Sequence, residues 1–138
     1  MTTSHGTTPH TADLGLWARA EGLPELFAAM ATALAGLMTK GPRQGEIAWL
    51  PLELEGLDLA DLLVRLLNEL VYRLDAEGLI CVALELDHLG PERLTGRLGF
   101  IPRDRRHRPG EPVKAVTYHQ ARVEPQGRGW RAEVVLDV

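Results

Sequence analysis

Three groups of residues combine types and spacings that suit chemistry. The first is Asp13, which closes the run His10-Thr11-Ala12-Asp13. After it, Leu14, Leu16, Ala18 and Ala20 alternate with Gly15, Trp17 and Arg19, a period of two that predicts a short strand opened by Asp13. A carboxylate there serves either as a ligand or as a turn residue bonding nearby backbone N–H groups. The second group is the closing Val135-Leu136-Asp137-Val138. A strand pattern that persists to the last residue sets Asp137 beside a main-chain carboxylate. Converging carboxylate oxygens suit a hard divalent cation such as Ca²⁺, Mg²⁺ or Mn²⁺. Pairing Val113–Val123 with Trp130–Val138 about a symmetric turn sets Val123 opposite Trp130. Asp137 then falls opposite Val116, on a face with Lys114, Tyr118, Gln120 and Arg122. On that register Lys114 lies diagonal to Asp137, and a surface ion pair worth about 0–1 kcal/mol is the alternative to a metal.

The third group is the basic loop Arg103-Asp104-Arg105-Arg106-His107-Arg108. It suits phosphate, on RNA or on a nucleotide held by a partner, or it is a solvated basic turn. His107 and His119 are both able to carry protons. The same pairing puts His119 on the buried face with Val113, Ala115, Thr117, Ala121 and Val123, as a packed, hydrogen-bonded histidine. Cys81 sits in an apolar run and reads as an inert core residue.

Stepping along the chain, the elements that position these groups are legible. Pro24 suits the first turn of a helix, and Leu23, Leu26, Phe27, Met30, Leu34, Leu37 and Met38 form one buried stripe ended by Gly41-Pro42. Glu46–Glu55 reads as extended, with Pro51 marking an edge or a break. Asp58 is a good N-cap for a second helix. There Leu59, Leu62, Leu63, Leu66, Leu67, Leu70, Val71 and Leu74 form a wide apolar face that ends near Gly78. Strands follow at Leu79–Leu86, Leu94–Ile101, Val113–Val123 and Trp130–Val138, the last two joined through Glu124–Gly129. The order strand–helix–strand–helix–four strands predicts an α+β fold: a two-layer sandwich with two helices on one face of a mixed or antiparallel sheet of about six strands.

Composition bounds the function. At 138 residues the chain suits one domain, expected over residues 10–138 behind a flexible leader at 1–9. Fifteen Lys+Arg against nineteen Asp+Glu give a net charge of −4, which argues against a whole-surface nucleic-acid binder. One cysteine excludes an internal disulfide framework and a thiolate zinc cluster. No apolar run reaches the ~18 residues of a spanning helix, and the polar start lacks a signal-peptide core, so a cytoplasmic protein is expected. No phosphate-binding glycine loop, dinucleotide fingerprint or nucleophile elbow is present, so a complete catalytic constellation is missing.

His10-Thr11-Ala12-Asp13, Leu66-Leu67-Asn68-Glu69-Leu70, Lys114-Ala115-Val116-Thr117-Tyr118-His119 and Asp137-Val138 together resemble the archease family. The resemblance runs in order from residue 10 to the end, and the spacing of His107 before Lys114 fits it too. It implies a small α/β accessory protein of the RtcB-type RNA ligase, promoting that ligase's guanylylation and multiple turnover in tRNA splicing and RNA repair. It implies a divalent metal held by Asp13 and Asp137, with a main-chain or terminal oxygen of Val138, and Lys114 as a functional basic residue. His10, His107 and His119 are secondary candidates. This metal site requires the first strand to lie beside the last. GTP and RNA would be met only through the ligase. Two other readings compete: a chaperone for a tRNA-modifying methyltransferase, and a small metal-dependent phosphoesterase using the Asp13/Asp137 site.

Overall fold

The computed structural model describes residues 3–9 and 13–138. Among these residues nine strands and two helices follow in the order β1 (Ser4–Pro9), β2 (Asp13–Ala20), α1 (Leu23–Met38), β3 (Thr39–Lys40), β4 (Ala48–Glu55), α2 (Leu59–Glu77), β5 (Leu79–Leu89), β6 (Arg93–Pro102), β7 (Arg108–Pro109), β8 (Ala115–Gln126) and β9 (Gly129–Asp137). Every pairing is antiparallel. The strands form a four-stranded sheet in the order β1-β2-β9-β8, a three-stranded sheet β4-β6-β5 and the short ribbon β3-β7. The expected α+β architecture of two helices on antiparallel strands is what forms, divided between two main sheets instead of one.

The helices obey their sequence signals. α1 carries Pro24 in its first turn and buries Leu26, Phe27, Met30 and Leu34. α2 is capped by Asp58, whose Oδ1 accepts from the Asp61 N–H at 2.8 Å. It ends at Gly78, in the left-handed region at φ 65°. Asp61 is buried at 2 % exposure, yet it accepts from the Leu57 N–H at 2.7 Å and from Arg65 Nε at 3.0 Å, so its charge is satisfied. The apolar faces of both helices join Leu16, Ala18, Phe100, Ala132, Val134 and Leu136 in one core. Pro51 lies on β4, an edge strand, where its missing N–H costs no ladder bond.

The leader at 1–9 is not loose along its described length: Ser4–Pro9 forms β1, paired from Ser4↔Arg19 to Pro9↔Leu14. Its threonines suit a strand, and Gly6 lies opposite Trp17, whose indole fills the space a Cβ would take. The loop 103–110 also contains a strand, β7, whose two residues pair with β3 as Lys40↔Arg108 and Thr39↔Pro109. Two-residue strands have no periodicity to read.

His107 ties that loop together from inside. Its side chain is fully buried. Nδ1 accepts from the Asp104 N–H at 3.0 Å, so Nε2 carries the proton and donates to the Pro42 carbonyl at 2.8 Å. His107→Ala strands both backbone groups, and a loss of about 2 kcal/mol or more in urea unfolding is expected. Cys81 is buried, and desolvation pushes its thiol up to about 11, against a weak opposing bond to the Ala83 carbonyl. A thiol reagent at neutral pH is therefore expected to label it only in denaturant.

Candidate metal centre

β2 and β9 pair along their whole length, which brings the first candidate residue to the last. Asp13 lies directly opposite Asp137. Cross-strand partners share a face with their Cβ atoms about 4.5–5.5 Å apart, and like charges so placed repel. Asp13 is half-buried and Asp137 exposed. Val138 follows at once, half-buried against the core. Among the described residues the candidate donors at this corner, on Asp13, Asp137 and Val138, are oxygens, the set a hard divalent cation takes, so they fit such an ion. Among the described residues no cluster of three His, Cys, Asp or Glu side chains forms. A cation here would therefore complete its shell with main-chain oxygens and water. His10 lies outside the described residues.

Lys114 reaches the same corner by a route different from the expected register. Its N–H donates to the Asp137 carbonyl at 2.7 Å, and the next residue, Ala115, pairs with Asp137. Asp137 is thus opposite Ala115 and not Val116. Two features cause the difference. The hairpin turn is only Gly127-Arg128, between the pair Gln126↔Gly129, with Gly127 at φ 60° where a two-residue hairpin needs glycine. Further along, Tyr118, His119, Gln120 and Ala121 all fall between the pairs Thr117↔Val135 and Arg122↔Glu133. The tighter turn shifts the register by an even number and preserves the faces, so Ala132, Val134 and Leu136 are buried as expected. The bulge then shifts it by an odd number and exchanges them. Val116, not Ala115 or Thr117, faces the core, and His119 is exposed instead of packed. Gln120 sits at φ 58°, a left-handed conformation that a non-glycine residue adopts at a cost of about 1–2 kcal/mol. Among the described residues no ion pair joins Lys114 to Asp137.

One residue of this corner was not singled out for chemistry by the sequence. Asn68 of α2 donates its Nδ2 to the Val116 carbonyl and accepts the Val116 N–H at Oδ1, both at 2.9 Å. β8 is an edge strand, and the amide takes the place of a neighbouring strand one residue beyond Ala115. The available signal was a lone amide beside the leucine stripe in Leu66-Leu67-Asn68-Glu69-Leu70.

Residues 6–138 match the family model of the archease protein family. The chain belongs to the archease family. The protein archease of Pyrococcus furiosus is 37% identical over 138 residues, covering 94% of each chain. That of Methanopyrus kandleri is 33% identical over 133 residues, covering 94% of this chain and 95% of its own. The solution structure of protein 1598 from Methanobacterium thermoautotrophicum has a TM-score of 0.77 at 27% identity, covering 97% of this chain and 98% of the other. The crystal structure of an archease from Thermotoga maritima, described as a possible chaperone, shares the fold with a TM-score of 0.64 at 18% identity. The archease fold, with its first long strand against its last, thus supplies the adjacency that the resemblance required. No helix among the described residues is long and apolar enough to cross a membrane.

Proposed function

We propose that this archease is a non-catalytic activator of an RtcB-type RNA ligase in the cytoplasm, promoting the ligase's guanylylation and multiple turnover in tRNA splicing and RNA repair. The observation that carries the reading is the direct Asp13↔Asp137 pairing, with Lys114 bonded through its N–H to Asp137. Asp13, Asp137 and a main-chain or terminal oxygen of Val138 would hold a divalent cation, Ca²⁺, Mg²⁺ or Mn²⁺. When bound, that ion supplies positive charge for phosphate oxygens. Lys114 is exposed and anchored at its backbone, so its ammonium is free to swing toward the same oxygens. Two carboxylates without an adjacent buried base make a poor hydrolytic site, which disfavours the phosphoesterase reading.

The test is multiple-turnover ligation by a cognate RtcB-type ligase with GTP and Mn²⁺, with this protein at substoichiometric amounts. Many turnovers, lost with Asp13→Ala, are expected. No effect on ligation or on ligase guanylylation would overturn the activator role. Suppression of methyltransferase aggregation that survives Asp13→Ala would then favour the chaperone reading.

A further inference from the structure

We propose that Arg103, Arg105 and Arg108, with Lys40, form a surface that contacts the phosphate backbone of RNA directly. RNA as the polyanion rests on the proposed ligase function; the contact itself goes beyond it, since there RNA is met only through the ligase.

The chain is acidic overall, at −4, so carboxylates are plentiful. Seven of its thirteen arginines reach one: Arg65, Arg73, Arg93, Arg97, Arg106, Arg122 and Arg131. Arg103, Arg105 and Arg108 are exposed and reach none among the described residues. The β3-β7 pairing then sets Lys40 directly across from Arg108, joining cations far apart in sequence. Segments 40–43 and 103–110 hold six cations and one carboxylate, Asp104, which is itself taken by Arg106 at 3.1 Å.

The backbone beneath these arginines is built to hold them still. Asp104 to His107 is a tight turn closed by the His107 N–H donating to the Asp104 carbonyl at 3.0 Å. Asp104 Oδ1 also accepts the Arg106 N–H at 2.9 Å. The buried His107 ring ties the turn to Pro42. Arg103 N–H donates to the Gly78 carbonyl at 2.8 Å, and Gly110 N–H donates to the Met38 carbonyl at 2.8 Å. Gly41 packs so closely on the turn that an added Cβ would lie 2.7 Å from the Arg106 carbonyl oxygen. Fixing the backbone in advance lowers the ordering cost of a polyanion contact.

The chemistry selects the ligand. Guanidinium forks match phosphate oxygens two at a time. A membrane-binding surface pairs its cations with apolar side chains that insert. Among the described residues the large exposed hydrophobic beside segments 39–43 and 103–110 is Ile47, near Arg106, a single side chain where an inserting surface needs several. Lys114 is the sixth residue after Arg108, so chain reach holds Arg108 within about 20 Å of Lys114, whose N–H bonds to Asp137.

The test is fluorescence anisotropy of a labelled, unstructured RNA oligonucleotide with the full chain and no ligase present. Binding is expected to weaken with salt at a log–log slope of about −3, the value for four phosphate contacts on a single strand. The triple variant R103E/R105E/R108E is expected to lose ~10-fold or more in affinity and most of the slope. Arg128→Glu, at the exposed hairpin tip, is expected to bind as the parent does. If the glutamate variant does not fold, Arg→Gln at the same three positions is the replacement. Unchanged RNA affinity in a folded triple variant overturns the proposal, as does binding to anionic phospholipid vesicles without binding to RNA. Intact ligase stimulation without RNA binding sinks this inference alone. RNA binding without ligase stimulation leaves it standing and sinks the activator reading.

Discussion

Asp13→Asn is expected to raise the melting temperature of the metal-free protein and to abolish its further rise with Ca²⁺ or Mn²⁺. The two effects have one cause. Asp13 and Asp137 are direct cross-strand partners, so their charges repel at a cost of about 0.2–1 kcal/mol when no cation lies between them. A neutral amide at either position removes that repulsion. It also removes an anionic oxygen from a donor set with only two side-chain carboxylates. For the parent chain, ligand at about 100-fold above its Kd stabilises by ~2.7 kcal/mol, which for a domain of this size is a rise of about 10 °C. Asp137→Asn is expected to behave the same way. A melting temperature that rises equally with metal in parent and variants would remove the metal from this corner. The same variants report ligase stimulation separately, so loss of metal binding and loss of activation can be compared residue by residue.

Asn68→Leu is expected to cost about 2–4 kcal/mol in denaturant unfolding and to release Lys114. The Asn68 amide satisfies both the N–H and the carbonyl of Val116, a residue buried at 4 % exposure. Leucine is close in volume, so little cavity forms. What is lost is the pairing of two backbone groups, each worth about 1–3 kcal/mol when stranded. Val116 lies between Lys114 and the bulge at Tyr118–Ala121, and β8 has no strand on its outer side here. Amide exchange at Val116 should therefore speed up more than exchange in β2 or β9. Wild-type stability and unchanged exchange would show that the Asn68 contact carries no weight in positioning this corner.

These two results rest on different kinds of information. Asn68 stood in the sequence only as an amide beside a leucine stripe, and nothing local said which backbone it would meet 48 residues later. Asp13 and Asp137 stood out by type and position. Their adjacency came from the resemblance to archeases, and it is the β2-β9 pairing that realises it. The sequence pattern places His119 on the packed face and assigns no burial to His107, whereas the folded chain exposes the first and buries the second. The bulge at Tyr118–Ala121 turned one outward, and the contacts to Pro42 and Asp104 drew the other in.

Both helices, their caps at Asp58 and Gly78, an edge or break at Pro51 and the series of late strands follow from local sequence. Each is a local signal: a period of 3.6 or 2, a side chain that caps its own turn, or a ring that cannot donate. The division into two sheets, the β3-β7 ribbon and the residue opposite Asp137 on β8 emerge only on folding. Strand register depends on turn length and on bulges, and an odd slip exchanges every face beyond it without altering the periodicity that sequence reading detects.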